Sequence, residues 1–207
     1  ALEPAAGPEA RALLLTLADG TGTIQRETAG LAIVPADTRP LLRRLGVTIG
    51  ALDVFVPALL KPGPRALLKA IGADPRPLHA GMEPVIASVR QLPAGYRRAG
   101  AQAIRVDMAE KLFRAAHEAR TRSARTFVLN PALATSMGLA PASFARLLRD
   151  AGFRANQPRK LAAGAFGPPA PTIWSWHPPR KDRLPANTTG RPAREGTPFA
   201  GLAELLG

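Results

Sequence analysis

The chain has 207 residues, with 28 Lys and Arg against 15 Asp and Glu and a formal net charge of +13. It has no cysteine, which excludes disulfides and thiolate metal sites and makes a reducing cytoplasm the expected compartment. No apolar run approaches the roughly 20 residues that span a bilayer, so no membrane helix is predicted.

The basic excess is concentrated in the second half. Residues 104–207 hold 16 basic and 7 acidic side chains, against 12 and 8 in residues 1–103. An anionic polymer is therefore the first partner to consider, and arginine suits phosphate because its guanidinium is a planar fork of donors. The alternative is a genome-wide bias toward Ala, Arg, Gly and Pro, which would raise the charge whatever the function.

A small mixed α/β subdomain, mainly helical with a short hairpin, is predicted for residues 1–92. Apolar spacing and glycine stops predict helices at residues 8–20, 37–44 and 64–71. The β-branched runs at 47–50 and 54–56 predict the hairpin, and a further strand is expected at 84–89. A Pro-rich linker is expected at 72–84, and a turn or short helix at 93–100.

Residues 104–152 contain clearer signals for where helices start and end. A short strand at 104–106 leads to Asp107, which is expected to cap a helix reaching Thr121, with Glu110 completing a capping box. The predicted buried face of this helix is Met108, Leu112, Ala115 and Ala119. A strand at 126–129 follows, then a helix opened by Asn130-Pro131 and closed by Gly138.

The last predicted helix runs from Pro141 to Asp150, with Phe144, Leu147, Leu148 and Ala151 on its apolar face. Strands are expected at 152–157 and 172–177, joined by a Gly- and Pro-rich loop. This order predicts a winged helix-turn-helix, in which the strand pair covers the open side of three short helices. Phe153, Ile173 and Trp174 or Trp176 are expected to point inward.

The predicted fold class is thus α+β, mainly helical, with a winged-helix-like domain at 93–183 after the N-terminal subdomain. Residues 184–207 are expected to form a flexible tail with a short terminal helix at 199–206.

The expected contact surface with RNA or DNA centres on the helix at 141–150, which would be the recognition helix. Its predicted contact residues are Ser143, Arg146 and Arg149 on that helix, Arg154, Arg159 and Lys160 on the wing, and Arg180, Lys181 and Arg183 after it. These side chains would neutralise phosphates more than they would recognise bases.

Trp174 and Trp176 lie two apart on a strand and share a face. They could stack on single-stranded bases or fill the gap between wing and helices, and the second interpretation is favoured. For the cations, the alternative is a solvated face on a protein-binding module.

Catalytic motifs are not found. The sequence has no Gly-x-x-x-x-Gly-Lys-Ser/Thr loop and no Gly-x-Ser-x-Gly elbow, and His79, His117 and His177 lack metal-ligand spacing. We therefore expect no enzyme activity, cofactor or metal in this chain, and we expect a monomer.

Five segments carry a family resemblance, and the most specific is residues 54–62, VFVPALLKP. The others are residues 45–50, 103–108, 127–154 and 197–206. In this order they resemble the C-terminal region of bacterial superfamily 2 helicases related to the mitochondrial degradosome RNA helicase. The resemblance implies an ATP-dependent RNA or DNA helicase whose motor domains lie upstream, with this region binding the strand or docking a partner.

Two alternatives stay open. One is a protein-docking module of the same helicase, with an exposed apolar patch around Phe55, Leu59 and Leu60. The other is a free-standing winged-helix DNA-binding regulator, which would need a dimer interface and a helix that reads bases.

Overall fold

The computed structural model describes residues 7–29, 36–73, 83–88, 90–123, 125–156, 167 and 170–177. The predicted tail and terminal helix, and most of the predicted linker and wing loop, lie outside these ranges. Within the described ranges, no helix is both long and apolar enough to cross a membrane. The fold is α+β, as predicted, and its described strands form three small antiparallel sheets.

The N-terminal elements are helices and short strands. Three helices, α1 (Pro8–Asp19), α2 (Arg39–Arg44) and α3 (Pro62–Ala70), accompany the strands β1 (Thr23–Gln25), β2 (Thr48–Ile49) and β3 (Asp53–Phe55). The predicted β2–β3 hairpin is confirmed, and β1 pairs with the other edge of β3, which gives the order β1-β3-β2. A small apolar cluster joins α1, α2 and the sheet, with Leu13, Leu17, Leu42 and Val54 almost fully buried.

The second sheet corrects one prediction. The expected turn or helix at 93–100 is instead strand β5 (Tyr96–Ala99), which pairs with β6 (Gln102–Arg105), while β4 (Val85–Ala87) covers the other edge of β6. Gly95 and Gly100 have φ of +80° and +63°, so glycine provides the left-handed backbone that starts and ends the strand. Arg97 and Arg98 are weak local signals for a strand, and pairing with β6 supplies what local preference lacks.

Helix α4 (Val106–Thr121) begins one residue before its predicted cap. Asp107 lies in the first turn, where its carboxylate accepts two hydrogen bonds from Arg105, each at 2.8 Å. The negative carboxylate also interacts favourably with the positive end of the helix dipole. The predicted capping box is wrong. Glu110 Oε2 accepts a hydrogen bond from the backbone N–H of Ala51 at 2.8 Å, and burial is the main cause that raises the pKa of this carboxyl.

The buried face of α4 also differs from the prediction. Leu112 is buried as expected, but Ala115 is exposed and Met108 and Ala119 are only half-buried. The face that packs inward is Val106, Ala109, Leu112, Phe113 and Ala116. Alanines lie on the helix surface to either side of Leu112, so two candidate apolar faces have similar spacing. The sequence alone did not show which of the two is buried.

The remaining elements follow the predicted order. Strand β7 (Thr126–Val128) leads to α5 (Ala132–Ser136) and α6 (Pro141–Asp150), then β8 (Phe153–Asn156) and β9 (Ile173–Trp176). β9 pairs antiparallel with both other strands, so the sheet order is β7-β9-β8. Asn130 accepts a hydrogen bond from the Ala132 N–H at 2.9 Å, but the cap position is Pro131, one residue later than predicted.

The main core lies between α4, α6 and the third sheet. Phe144, Leu147, Leu148 and Ala151 of the α6 region are buried, which confirms the predicted face. Phe153 and Trp174 join them, but Ile173 is 41% exposed and is not the inward residue that we expected. Since side chains alternate along a strand, burial of Trp174 forces Ile173 outward.

Leu52 from the N-terminal half packs into this main cluster. The described residues up to His177 belong to one compact unit. The domain boundary predicted at residue 92 stays a prediction.

Candidate nucleic-acid interface

Three of the predicted contact residues lie toward the C-terminal end of α6. Arg146 and Arg149 are exposed on the helix, and Arg154 Nη1 donates to the backbone carbonyl of Arg149 at 3.0 Å. Cations at this end of a helix interact favourably with the negative end of its dipole. All three arginines are exposed, and together they are called the α6 edge below.

Arg146 also contacts Asp150, with 3.2 Å between Nε and Oδ1. The Arg146 side chain is 59% exposed, and such i,i+4 pairs in water contribute only about 0.3–0.5 kcal/mol. Arg146 can therefore exchange this carboxylate for another anion at small cost.

Ser143, predicted on the outer face of the recognition helix, is buried at 3% exposure. The turn between β5 and β6 lies against it: a Cβ placed on Gly100 would be 3.7 Å from Ser143 Oγ. The sequence showed that Ser143 is off the main apolar stripe, but not that a hairpin covers that side of α6.

Gln102 holds this hairpin against the turn between α5 and α6. Its side-chain amide donates to the carbonyl of Gly138 at 2.9 Å and accepts from the N–H of Ala140 at 2.8 Å. Both ends of the amide are therefore used, and the β5–β6 hairpin is tied to the turn that precedes α6.

Trp174 and Trp176 share the inward face of β9, as predicted. Trp174 is 6% exposed and lies 6.2 Å from the Phe144 ring, so it fills the space between strand and helix. Trp176 is half-buried, and the Arg120 guanidinium carbon lies 4.1 Å from its ring centroid. These contacts favour the packing role over a platform for bases, because the Trp174 ring is buried and Arg120 covers the Trp176 ring.

His117 completes this cluster, 5.0 Å from the Phe153 ring and 5.7 Å from the Trp176 ring. Burial, and secondarily the Arg120 cation, lowers the pKa of His117 from its ordinary value of 6.5. The unfolded chain therefore binds the proton first, and this group reduces the free energy of unfolding as pH falls below 6.5 toward the folded pKa.

Replacing Arg120 with Met should raise the pKa of His117, because the change removes a nearby positive charge. The pKa is read from an NMR titration of the imidazole Cε1 proton, assigned with a His117→Gln variant. Arg122→Met is the matched control, since Arg122 is 80% exposed beyond the helix end. An unchanged His117 pKa in Arg120→Met would contradict the electrostatic contribution.

A cleft of about 500 Å³ opens beside α6. It lies between β1, β5 and the C-terminal half of α6, and sequence reasoning did not predict it. Its polar lining comprises Thr23, Gln25, Asp53, Tyr96, Arg97, Arg98, Arg146 and Asp150.

Asp53 and Arg97 form an ion pair at one wall of the cleft. Arg97 Nε lies 2.7 Å from Asp53 Oδ2, and Arg97 Nη2 donates to the carbonyl of Leu52 at 3.0 Å. Both side chains are largely buried. Burial raises the pKa of Asp53, and the bond and charge of Arg97 oppose that rise.

Five predicted contact residues cannot be placed on this surface, because they lie outside the described residues: Arg159, Lys160, Arg180, Lys181 and Arg183. In the part of the chain that is described, no three His, Asp or Glu side chains are grouped to hold a metal ion.

The predicted position of the exposed apolar patch, which a docking module would need, is wrong. Phe55 is buried, and Leu59 and Leu60 are half-buried. The most exposed large apolar side chains in the described ranges are instead Leu67 and Ile71, at 63% and 67%, on and just after α3.

No protein-family model, curated protein or solved structure matches the chain. The interface is therefore interpreted from its geometry and from the sequence resemblance.

Proposed function

We propose that residues 106–177 form a winged helix-turn-helix, a class of domain defined by three helices closed by a β-ribbon. The observation that carries the proposal is the strand order β7-β9-β8 beside α4, α5 and α6, with β9 in the centre. The shared core of Phe144, Leu148, Phe153 and Trp174 supports it, because these residues come from both the helices and the sheet.

We further propose that this region is a non-catalytic, nucleic-acid-binding accessory part of an ATP-dependent helicase whose motor domains lie upstream. The support is the charge of the second half, the arginines at the C-terminal end of α6, and the resemblance of residues 54–62 and 127–154 to such helicases. Contacts would be made to phosphates, which carry most of the affinity and little sequence information.

The test is fluorescence anisotropy of the full chain with a labelled RNA or DNA oligonucleotide between about 50 and 200 mM salt. Each phosphate contact on a single strand contributes about −0.7 to the slope of log affinity against log salt. Arg149→Glu with Arg154→Glu should weaken binding and make that slope less steep by about 0.7 for each arginine on a single strand.

Arg43→Glu with Arg44→Glu is the matched control, because it changes the net charge equally at an exposed site on α2. Equal losses in both double variants would mean that overall charge, not the α6 edge, attracts the oligonucleotide. Absence of binding at about 50 mM salt would overturn the proposed function.

A protein-docking module is the second candidate, and exposure of Leu67 and Ile71 favours it. Absence of oligonucleotide binding, together with loss of association with the helicase motor domains in Leu67→Ser with Ile71→Ser, would support this candidate over the first.

A further inference from the structure

The third sheet has one face open to solvent, which we call the outer sheet face. Phe127, Phe153 and Trp174 belong to the core on the other side, and side chains alternate along a strand. The outward residues are Thr126 and Val128 of β7, Ile173 and Ser175 of β9, and Arg154 and Asn156 of β8. All of them are exposed except Ser175, which is half-buried. The described part of the chain therefore leaves this face uncovered.

Three of these side chains form a polar row across the sheet. Ser175 lies directly opposite Thr126 on one side and Arg154 on the other. Directly opposed residues of antiparallel strands have their side chains on the same face. Neighbouring strands are about 4.8 Å apart, so the row is about 10 Å long, which matches the rise of about three nucleotides in one strand of B-form DNA.

The hydroxyls of the polar row are free to bind a ligand. On helices, hydroxyls are commonly used internally: those of Thr16 and Ser136 each donate to a backbone carbonyl of their own helix at 2.9 Å. The hydroxyls of Thr126 and Ser175 have no hydrogen-bond partner among the residues that the structure describes. Each can therefore donate one hydrogen bond to an acceptor on the outer sheet face.

Arginines lie at both ends of the polar row. Arg154 uses only Nη1 for its two hydrogen bonds, one of them to the carbonyl of Arg149, so Nε and Nη2 stay without a partner within the described ranges. This bond makes the row continuous with the α6 edge. At the other end, the exposed Arg125 is the residue directly before Thr126. None of the six outward residues is acidic.

This chemistry fits the sugar-phosphate backbone of a nucleic acid. Phosphate and sugar accept half to two-thirds of the hydrogen bonds in protein–DNA complexes, and arginine, serine and threonine are among the usual donors. Beside the polar row, Val128 and Ile173 are directly paired and are 53% and 41% exposed. They offer an apolar surface to the sugars or bases that accompany the phosphates.

We propose that the outer sheet face binds the sugar-phosphate backbone of RNA or DNA, with Thr126, Ser175 and Arg154 donating to phosphate oxygens. This inference rests on the proposed function and adds a path for the backbone, from the α6 edge across the third sheet to Arg125. Thr126, Ser175 and Arg125 were not among the contact residues predicted from the sequence.

The experiment is fluorescence anisotropy of the full chain with a labelled oligo-uridylate, beginning at about 50 mM salt. Thr126→Val with Ser175→Ala removes both hydroxyls and leaves the charge unchanged. It should weaken binding about tenfold, a few-fold for each lost hydrogen bond, without changing the slope of log affinity against log salt. Thr16→Val with Ser136→Ala is the matched control, because it removes two exposed hydroxyls that already bind their own helices.

Arg125→Gln supplies an independent measurement, because Arg125 lies outside the paired residues of β7. Loss of this cation should weaken binding and make the salt slope less steep by about 0.7. Arg43→Gln, at an exposed site on α2, is the control for a generic loss of one charge.

The outcomes separate the two proposals. Absence of binding by the wild type overturns the proposed function. Binding that falls in the double reversal of Arg149 and Arg154, but is unchanged when both hydroxyls are removed, overturns the outer sheet face and leaves nucleic-acid binding in place. If the hydroxyl variant has a lowered melting temperature, Arg125→Gln decides, and equal losses in Arg125→Gln and Arg43→Gln overturn the proposed path.

Discussion

Replacing Phe153 with Ala should lower the free energy of unfolding by about 3–5 kcal/mol, the usual cost of emptying a buried phenylalanine site. The Phe153 side chain is 0% exposed and lies where α4, β7 and β8 meet. Its ring centroid is 6.1 Å from that of Phe127 and 5.0 Å from that of His117. Neighbouring rings are rigid, so the cavity cannot close fully around the missing side chain.

The measurement is urea denaturation followed by far-ultraviolet circular dichroism. Ile173→Ala is the matched control, because Ile173 is 41% exposed on the outer face of β9 and its loss should change stability by no more than about 0.5 kcal/mol. Similar losses at Phe153 and Ile173 would contradict the assignment of inner and outer faces in the third sheet.

Replacing Arg97 with Ala should also lower the free energy of unfolding by about 3–5 kcal/mol, but for an electrostatic reason. Asp53 lies beneath Arg97 with its side chain 8% exposed, and removing the cation leaves that carboxylate buried without its ion-pair partner. The pKa of Asp53, already raised by burial, should rise further because Arg97 is the main influence that lowers it. Stability of Arg97→Ala should therefore decline more steeply than that of the wild type as pH rises above 3.8.

A double-mutant cycle tests this explanation. Asp53→Asn with Arg97→Ala removes the buried charge together with its partner and should be less destabilised than Arg97→Ala alone. Denaturation curves at several pH values give both quantities. If the double variant is the less stable of the two, the cost of Arg97→Ala comes from lost packing of its aliphatic stem instead.

Local signals in the sequence were sufficient to predict many helices and strands of the second half. Asn130 and Pro131 mark the start of α5, and the spacing of Phe144, Leu147 and Leu148 fixes both the extent and the buried face of α6. Such signals depend on residues within one or two helical turns, so they can be read without knowing the rest of the fold.

The predictions failed where the structure depends on contacts between residues that are distant in the sequence. Glu110 has the spacing of a capping residue, yet its carboxylate binds the backbone of Ala51, 59 positions away. The pair formed by Asp53 and Arg97 spans 44 positions, and strand β5 exists because β6 pairs with it. No local pattern carries that information, so the cleft beside α6 was beyond prediction.

The pairing of Asn156 with Ile173 has a consequence for how this protein can vary. The chain leaves the sheet at Asn156 and returns to it at the directly opposed Ile173, so the connection between them starts and ends at one place in the sheet. Doubling the length of such a loop costs only about 0.6 kcal/mol of closure entropy. A longer or shorter connection between Asn156 and Ile173 should therefore leave the pairing of β8 with β9 unchanged.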